Sequence, residues 1–183
     1  MDIKVIGIDL AKNIFQIHGV DEKGKVVLSK RISRNQLAGF IAKLSPCLIG
    51  MEACSSSNYW ARKFRDYGHE VKLMSPQYVK PYVKTNKNDM NDAAGICEAV
   101  SRPSMHFVSI KSIEQQDIQC LHRIRRGLIQ ERTALVNQVR GLLAEYGIIV
   151  AQGVTKLRKQ LPEIIADAEN ECVGASGQSV GRT

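Results

Sequence analysis

Acids are the minority charge in this chain: 18 Asp and Glu stand against 26 Lys and Arg, for a net +8 at pH 7 and a pI near 9.4. That balance favours a polyanionic partner through long-range attraction and counterion release. Aromatic residues make up only 5% of the sequence, so base-stacking platforms are poorly supplied. The four His are scattered, which argues against a zinc site. The five cysteines, Cys47, Cys54, Cys97, Cys120 and Cys172, form no CxxC pair. Their odd number, and the apolar settings of Cys47, Cys97 and Cys120, predict reduced thiols in a cytoplasmic protein. No apolar stretch approaches the length of a membrane span, and Asp2 and Lys4 interrupt the opening run that a signal peptide would need. A membrane partner is therefore not expected.

The remaining composition is ordinary. With 183 residues, 44% hydrophobic and 24% charged, there is room for one domain with a sizeable core plus an appendage. Residues 3–10 read as a strand, and 14–20 and 25–31 as two more around the turn Asp21-Glu22-Lys23-Gly24-Lys25, forming an antiparallel meander. Ser33 is a candidate N-cap for a helix over 34–44, with Leu37, Phe40, Ile41 and Leu44 on one face. A strand at 47–52 follows, then a helix carrying Tyr59, Trp60, Phe64 and Tyr67 with caps among Ser55, Ser56, Ser57 and Asn58, then a strand at 69–74. The order β-β-β-α-β-α-β predicts an α/β fold, a mixed sheet flanked by helices.

Residues 76–88 hold Lys80, Lys84 and Lys87 with Pro76 and Pro81 and no acid, and read as an exposed, partly irregular basic segment. A helix is predicted from near Asp89 to about Ser101, ended by Pro103. From Ser112 to about Tyr146 the apolar residues Ile118, Leu121, Ile124, Leu128, Leu135, Val139 and Leu142 recur at helical spacing, as in a long arm or coiled-coil stalk. Over 111–160, nine Lys and Arg face four Asp and Glu, a net of +5. A second helix is predicted over 154–168, broken or kinked at Pro162. The resulting division is 1–110, a helical arm over 111–170, and a small polar tail over 171–183 predicted to be disordered.

Four carboxylates stand out against this background. Asp9 and Glu52 each end a short apolar run, and Asp89 and Asp92 lie three apart at a predicted helix start. Acids at the ends of buried strands are costly unless a cation compensates them. If the first and fourth strands are parallel neighbours, Asp9 and Glu52 emerge at the edge where open α/β sheets place their sites. Residues three apart share a helix face, so Asp89 and Asp92 can converge there. Hard divalent cations take oxygen ligands, and a pair of them can assist an in-line phosphodiester displacement. Each acid also has a plainer reading: Asp92 as a helix cap, Asp89 as a surface acid, Glu52 as the partner of a nearby lysine.

The ordered motifs Gly7-Ile8-Asp9-Leu10-Ala11-Lys12, Gly50-Met51-Glu52-Ala53-Cys54, Pro76-Gln77-Tyr78-Val79-Lys80-Pro81, Lys87-Asn88-Asp89-Met90-Asn91-Asp92-Ala93, Glu114-Gln115-Gln116 and Arg140-Gly141-Leu142-Leu143 carry a resemblance. Over roughly residues 1–170 the chain resembles the DEDD-type transposases of insertion-sequence family 110 and their relative, the pilin-gene invertase. The resemblance implies a RuvC-like (RNase H-like) domain in which Asp9, Glu52, Asp89 and Asp92 are the catalytic ligands of Mg²⁺ (or Mn²⁺), followed by a coiled coil. It also implies an RNA-guided DNA recombinase acting on DNA with a structured guide (bridge) RNA, as a homo-oligomer, dimer or tetramer, in the cytoplasm at the nucleoid. Lys12, Lys80, Lys84, Lys87, Arg123, Arg125, Arg126 and Arg132 are the candidates for nucleic-acid backbone contact. The family's second domain, with its nucleophilic serine, has no counterpart expected in the polar tail. Ser55 is read as a helix cap, not as a nucleophile. Two further functions stay open: a nucleic-acid-binding and assembly module without catalysis, and a junction-resolving nuclease that needs only the acids.

Overall fold

The computed structural model describes residues 2–84 and 89–167. The meander forms as the alternation requires. Strands β1 (Val5–Asp9), β2 (Ile14–Val20) and β3 (Val26–Ser33) run antiparallel. At the β2–β3 turn the Asp21 carboxylate accepts the Lys23 and Lys25 amides at 2.9 Å, and Gly24 takes φ +74°. On the other side of β1, β4 (Leu48–Glu52) and β5 (Glu70–Met74) pair in parallel. An unforeseen two-residue strand, β6 (Phe107–Val108), runs antiparallel to β5 at the outer edge. The order β3-β2-β1-β4-β5-β6 is the mixed, helix-flanked sheet expected of a RuvC-like domain.

Strand parity sorts the side chains onto two faces. Ile6, Ile8, Ile49, Met51, Val71 and Leu73 point to one face and are buried with Leu37 and Ile41 of α1 (Arg34–Ile41) and Trp60 and Phe64 of α2 (Ser57–Asp66). The opposite parity, Val5, Leu48 and Met74, packs with Ile96, Ala99 and Val100 of α4 (Asp89–Val100). Two glycines set how closely α4 lies on the sheet. A Cβ on Gly7 would overlap the Ala93 carbonyl oxygen and the Cys97 amide nitrogen. One on Gly50 would stand 2.7 Å from the Val100 Cβ.

Several local expectations are corrected. The first helix stops at Ile41, and the Ser33 hydroxyl turns to the Asn35 and Gln36 side chains instead of capping a backbone amide. The cap position of α2 is Ser56, held in the left-handed region (φ 67°) without a side-chain cap bond, so Ser55 does not cap. The segment after β5 is more ordered than its lysines suggested: α3 (Pro76–Val79) and a 3₁₀ turn (Lys80–Tyr82) form because Val79 is fully buried against α4. Helix α6 (Val154–Ala166) runs through Pro162 without a break. Cys47 and Cys97 are buried as expected, but Cys120 is exposed.

The chain divides into a compact unit ending at Gln116 and a second beginning at Asp117. Helix α5 (Ile113–Glu145) starts in the first. Its first turn is held there by Arg62, which donates to the Lys111 carbonyl (2.7 Å) and Gln116 Oε1 (3.0 Å), and by Asn58, which accepts the Lys111 amide at 2.9 Å. In the second unit a small core of Leu143, Val150 and Leu157 joins α5 to α6. Arg140 Nε donates to the Val150 carbonyl at 2.9 Å. The stripe along α5 is not covered: Ile118, Leu121, Ile124, Leu128 and Leu135 are 57–67% exposed. Among the described residues, no helix is long and apolar enough to cross a membrane.

Candidate functional site

The ends of β1 and β4 meet at the carboxyl edge of the sheet. The ladder between them closes at Ile8 and Met51, and the next residue on each strand is an acid, Asp9 and Glu52. Both share the parity of Gly7 and Gly50, the residues that contact α4, so both face the α4 side. Both are half-buried. Cys54, just beyond β4, registers the two together: burial first, then the charges of Glu52 and Asp9, hold its thiol above the usual range.

The first turn of α4 carries the other two acids. Asp92 is half-buried and precedes Ala93, whose carbonyl lies on Gly7. Asp89 is exposed and accepts a 2.7 Å ion pair from Arg31 on β3. The sheet register explains that partner, because Asp9 faces Gln16 across β1–β2 and Gln16 faces Arg31 across β2–β3. One transverse row therefore leads from Asp9 to Arg31 and on to Asp89. Arg31 was not foreseen, since 58 residues separate it from Asp89 and only the register brings them together.

Asp9 and Glu52 thus lie at one edge, while Asp89 is turned to Arg31. Among the described residues, no group of three or more His, Cys, Asp and Glu side chains is gathered tightly enough to hold a metal ion. The donor chemistry still suits a hard cation: at these positions every side-chain donor is a carboxylate oxygen.

The basic candidates separate into two groups. Lys12, Lys80 and Lys84 are exposed on the first unit, Lys12 in the loop directly after β1. Its carbonyl accepts a 3.3 Å bond from Arg34. Arg123, Arg125, Arg126 and Arg132 are exposed along α5 in the second unit. Lys87 lies outside the described residues.

Comparison with known proteins follows the same lines. The family model for DEDD transposases of the IS110 type, described as Transposase, matches residues 6–148. The chain is 50% identical over 173 residues to the Transposase for insertion sequence element IS1111A of Coxiella burnetii, covering 94% of this chain and 47% of that protein. It is 53% identical over 152 residues to a Probable family 20 transposase of Pseudomonas aeruginosa, covering 83% and 45%. It is 46% identical over 158 residues to the Transposase for insertion sequence element IS1328 of Yersinia enterocolitica, covering 86% and 47%. The chain therefore spans about half the length of the curated relatives it matches. A solved structure of T. thermophilus RuvC in complex with a Holliday junction substrate aligns at a TM-score of 0.37 and 13% identity, over 53% of this chain and 90% of that one. The fold assignment rests on the strand order. By motif, by family match and by identity to its relatives, the chain belongs to the DEDD transposases of insertion-sequence family 110.

Proposed function

We propose that this chain supplies the acidic, nucleic-acid-binding part of a DNA transposase, with Asp9, Glu52, Asp89 and Asp92 as ligands of Mg²⁺ or Mn²⁺. The observation that supports it most is the placement of Asp9 and Glu52 one residue past the Ile8–Met51 pair, on the α4 face, where one thiol senses both charges. A bound divalent cation would supply charge neutralisation at a scissile phosphate and a more acidic attacking oxygen. The residues themselves would hold the cation and set its place relative to the sheet edge. Asp89 would join the set on leaving Arg31, and an exposed ion pair of this kind costs only about 0–1 kcal/mol to break. Lys12, Lys80, Lys84 and the α5 arginines would contact phosphates. DNA, a structured guide RNA and further copies of the chain are the partners of this reading, at the nucleoid. The second copy would cover the exposed stripe of α5.

The metal role is tested by thermal unfolding of the purified chain with and without Mn²⁺. Mn²⁺ is expected to raise the melting temperature of the wild type and not that of Asp9→Asn; equal shifts in both would remove Asp9 from the site. Asp9→Asn placed in a full-length relative is expected to abolish recombination.

A second reading, a binding and assembly module without catalysis, is favoured by the Asp89–Arg31 pair, which holds one acid away from the others. Supercoiled plasmid separates the two. Nicking by the chain with Mg²⁺, lost in Asp9→Asn, favours a self-sufficient site, and binding without nicking favours the module.

A further inference from the structure

The transverse row that carries Glu52 continues outward to a ring. Glu52 pairs with Met74 across β4–β5, and Met74 pairs with Phe107 across β5–β6. Register partners share a face, so Phe107 lies on the acid-bearing side, two strand spacings or about 10 Å from the strand of Glu52. Phe107 is 41% exposed. The Lys72 ammonium sits 4.8 Å from its ring centre. Immediately before it, the exposed His106 meets Tyr78 of α3, with ring centres 5.3 Å apart, and Tyr78 is 42% exposed. Three uncovered rings thus line the outer end of the carboxyl edge in a chain with only four Phe and five Tyr. Scattered exposed rings are ordinary. His106 and Tyr78 are in ring contact, Lys72 stands over the ring of Phe107, the next residue along, and Lys80 lies two residues beyond Tyr78 on the 3₁₀ turn. Phe107 also lies on the side where a strand reaching the acids would pass.

We propose that Tyr78 and Phe107 form a stacking ledge for an unpaired base of single-stranded DNA, with Lys72 and Lys80 taking the flanking phosphates. Every base offers a π-face, so such a ledge reads strandedness and not sequence. It would hold the strand open beside Glu52 and Asp9. The inference rests on the reading that DNA is the partner, but it makes a separate claim about which form of DNA is preferred.

The test is fluorescence anisotropy with the full chain in EDTA, which removes any metal contribution, using labelled (dT)₁₂ and a 12-base-pair duplex. Tyr78→Ala and Phe107→Ala are each expected to weaken (dT)₁₂ binding about tenfold, while Tyr78→Phe keeps wild-type affinity. Duplex affinity should change by less than roughly twofold, because no phosphate contact is lost. Both sites are exposed, and an unchanged melting temperature confirms folding. Unaltered (dT)₁₂ affinity in both Ala variants, or equal losses on the two DNAs, overturns the ledge and leaves the DNA reading standing. An effect on (rU)₁₂ alone also overturns it. A wild-type chain that binds neither DNA overturns both claims.

Discussion

The two units use the same kinds of apolar residue in opposite ways. In the first, the period-two pattern is satisfied within the chain: Ile6, Ile8, Ile49 and Met51 are fully buried against α1 and α2, while Gly7 and Gly50 admit α4 on the other face. In the second, a helix of 33 residues buries only Leu143, and the stripe from Ile118 to Leu135 is exposed. Most helix stability in proteins comes from packing an apolar face. The sheet unit therefore carries its own stability, and the arm beyond Gln116 has a face still to be covered.

The sharpest break of this contrast is Gly7→Val. Its side chain would run into the Ala93 and Cys97 backbone, which cannot rotate away as a flexible side chain could. Urea denaturation is expected to show a loss of about 3 kcal/mol or more from the sheet unit. A midpoint close to wild type would mean that α4 is not pinned by that contact. Next in size is Leu128→Lys on the arm. If a second copy covers the stripe, sedimentation should show self-association weakened tenfold or more, since burying a Leu is worth about 1.5–3 kcal/mol. The urea midpoint of the sheet unit should not move, and a drop there would break the separation between the units.

The thiols add a pH-dependent effect. Burial pushes Cys47 and Cys97 up to about 11, from a reference of 9.0. The folded chain then keeps those protons at a pH where the unfolded chain releases them. The contribution is fully present below pH 9 and is lost as pH rises toward 11. Urea midpoints at pH 8.5 and 10.5 should fall accordingly, less steeply in Cys97→Ala. At pH 8 a thiol reagent should modify the exposed Cys120 well before the buried pair.

What was legible in the sequence was what alternation and local spacing encode. The runs ending in Asp9 and Glu52 read as strands, and α4 and α5 fall within one or two residues of their predicted spans. The two strand-end acids could be placed because strand ends are local features. The partner of Asp89 could not, because Arg31 reaches it only through the β1–β2–β3 register. Strand β6 was missed because two residues are too few to show a period, and pairing with Leu73 and Met74 is what makes them a strand. The cap at Ser56 depends on a left-handed backbone that no residue type there announces. Lysine content hid α3, where the buried Val79 outweighs its charged surroundings.

Strand parity in β4 has a consequence for how this protein can change its length. Leu48, Gly50 and Glu52 face α4, while Ile49 and Met51 face the main core. A single-codon insertion within β4 would switch the face of every strand residue on one side of it, turning Glu52 toward the apolar layer or a bulky side chain toward the helix backbone. Substitutions along β4 can be graded in severity, whereas insertions of odd length cannot. Length variation among relatives should therefore accumulate in turns such as Asp21–Lys25 and be absent from β1 and β4.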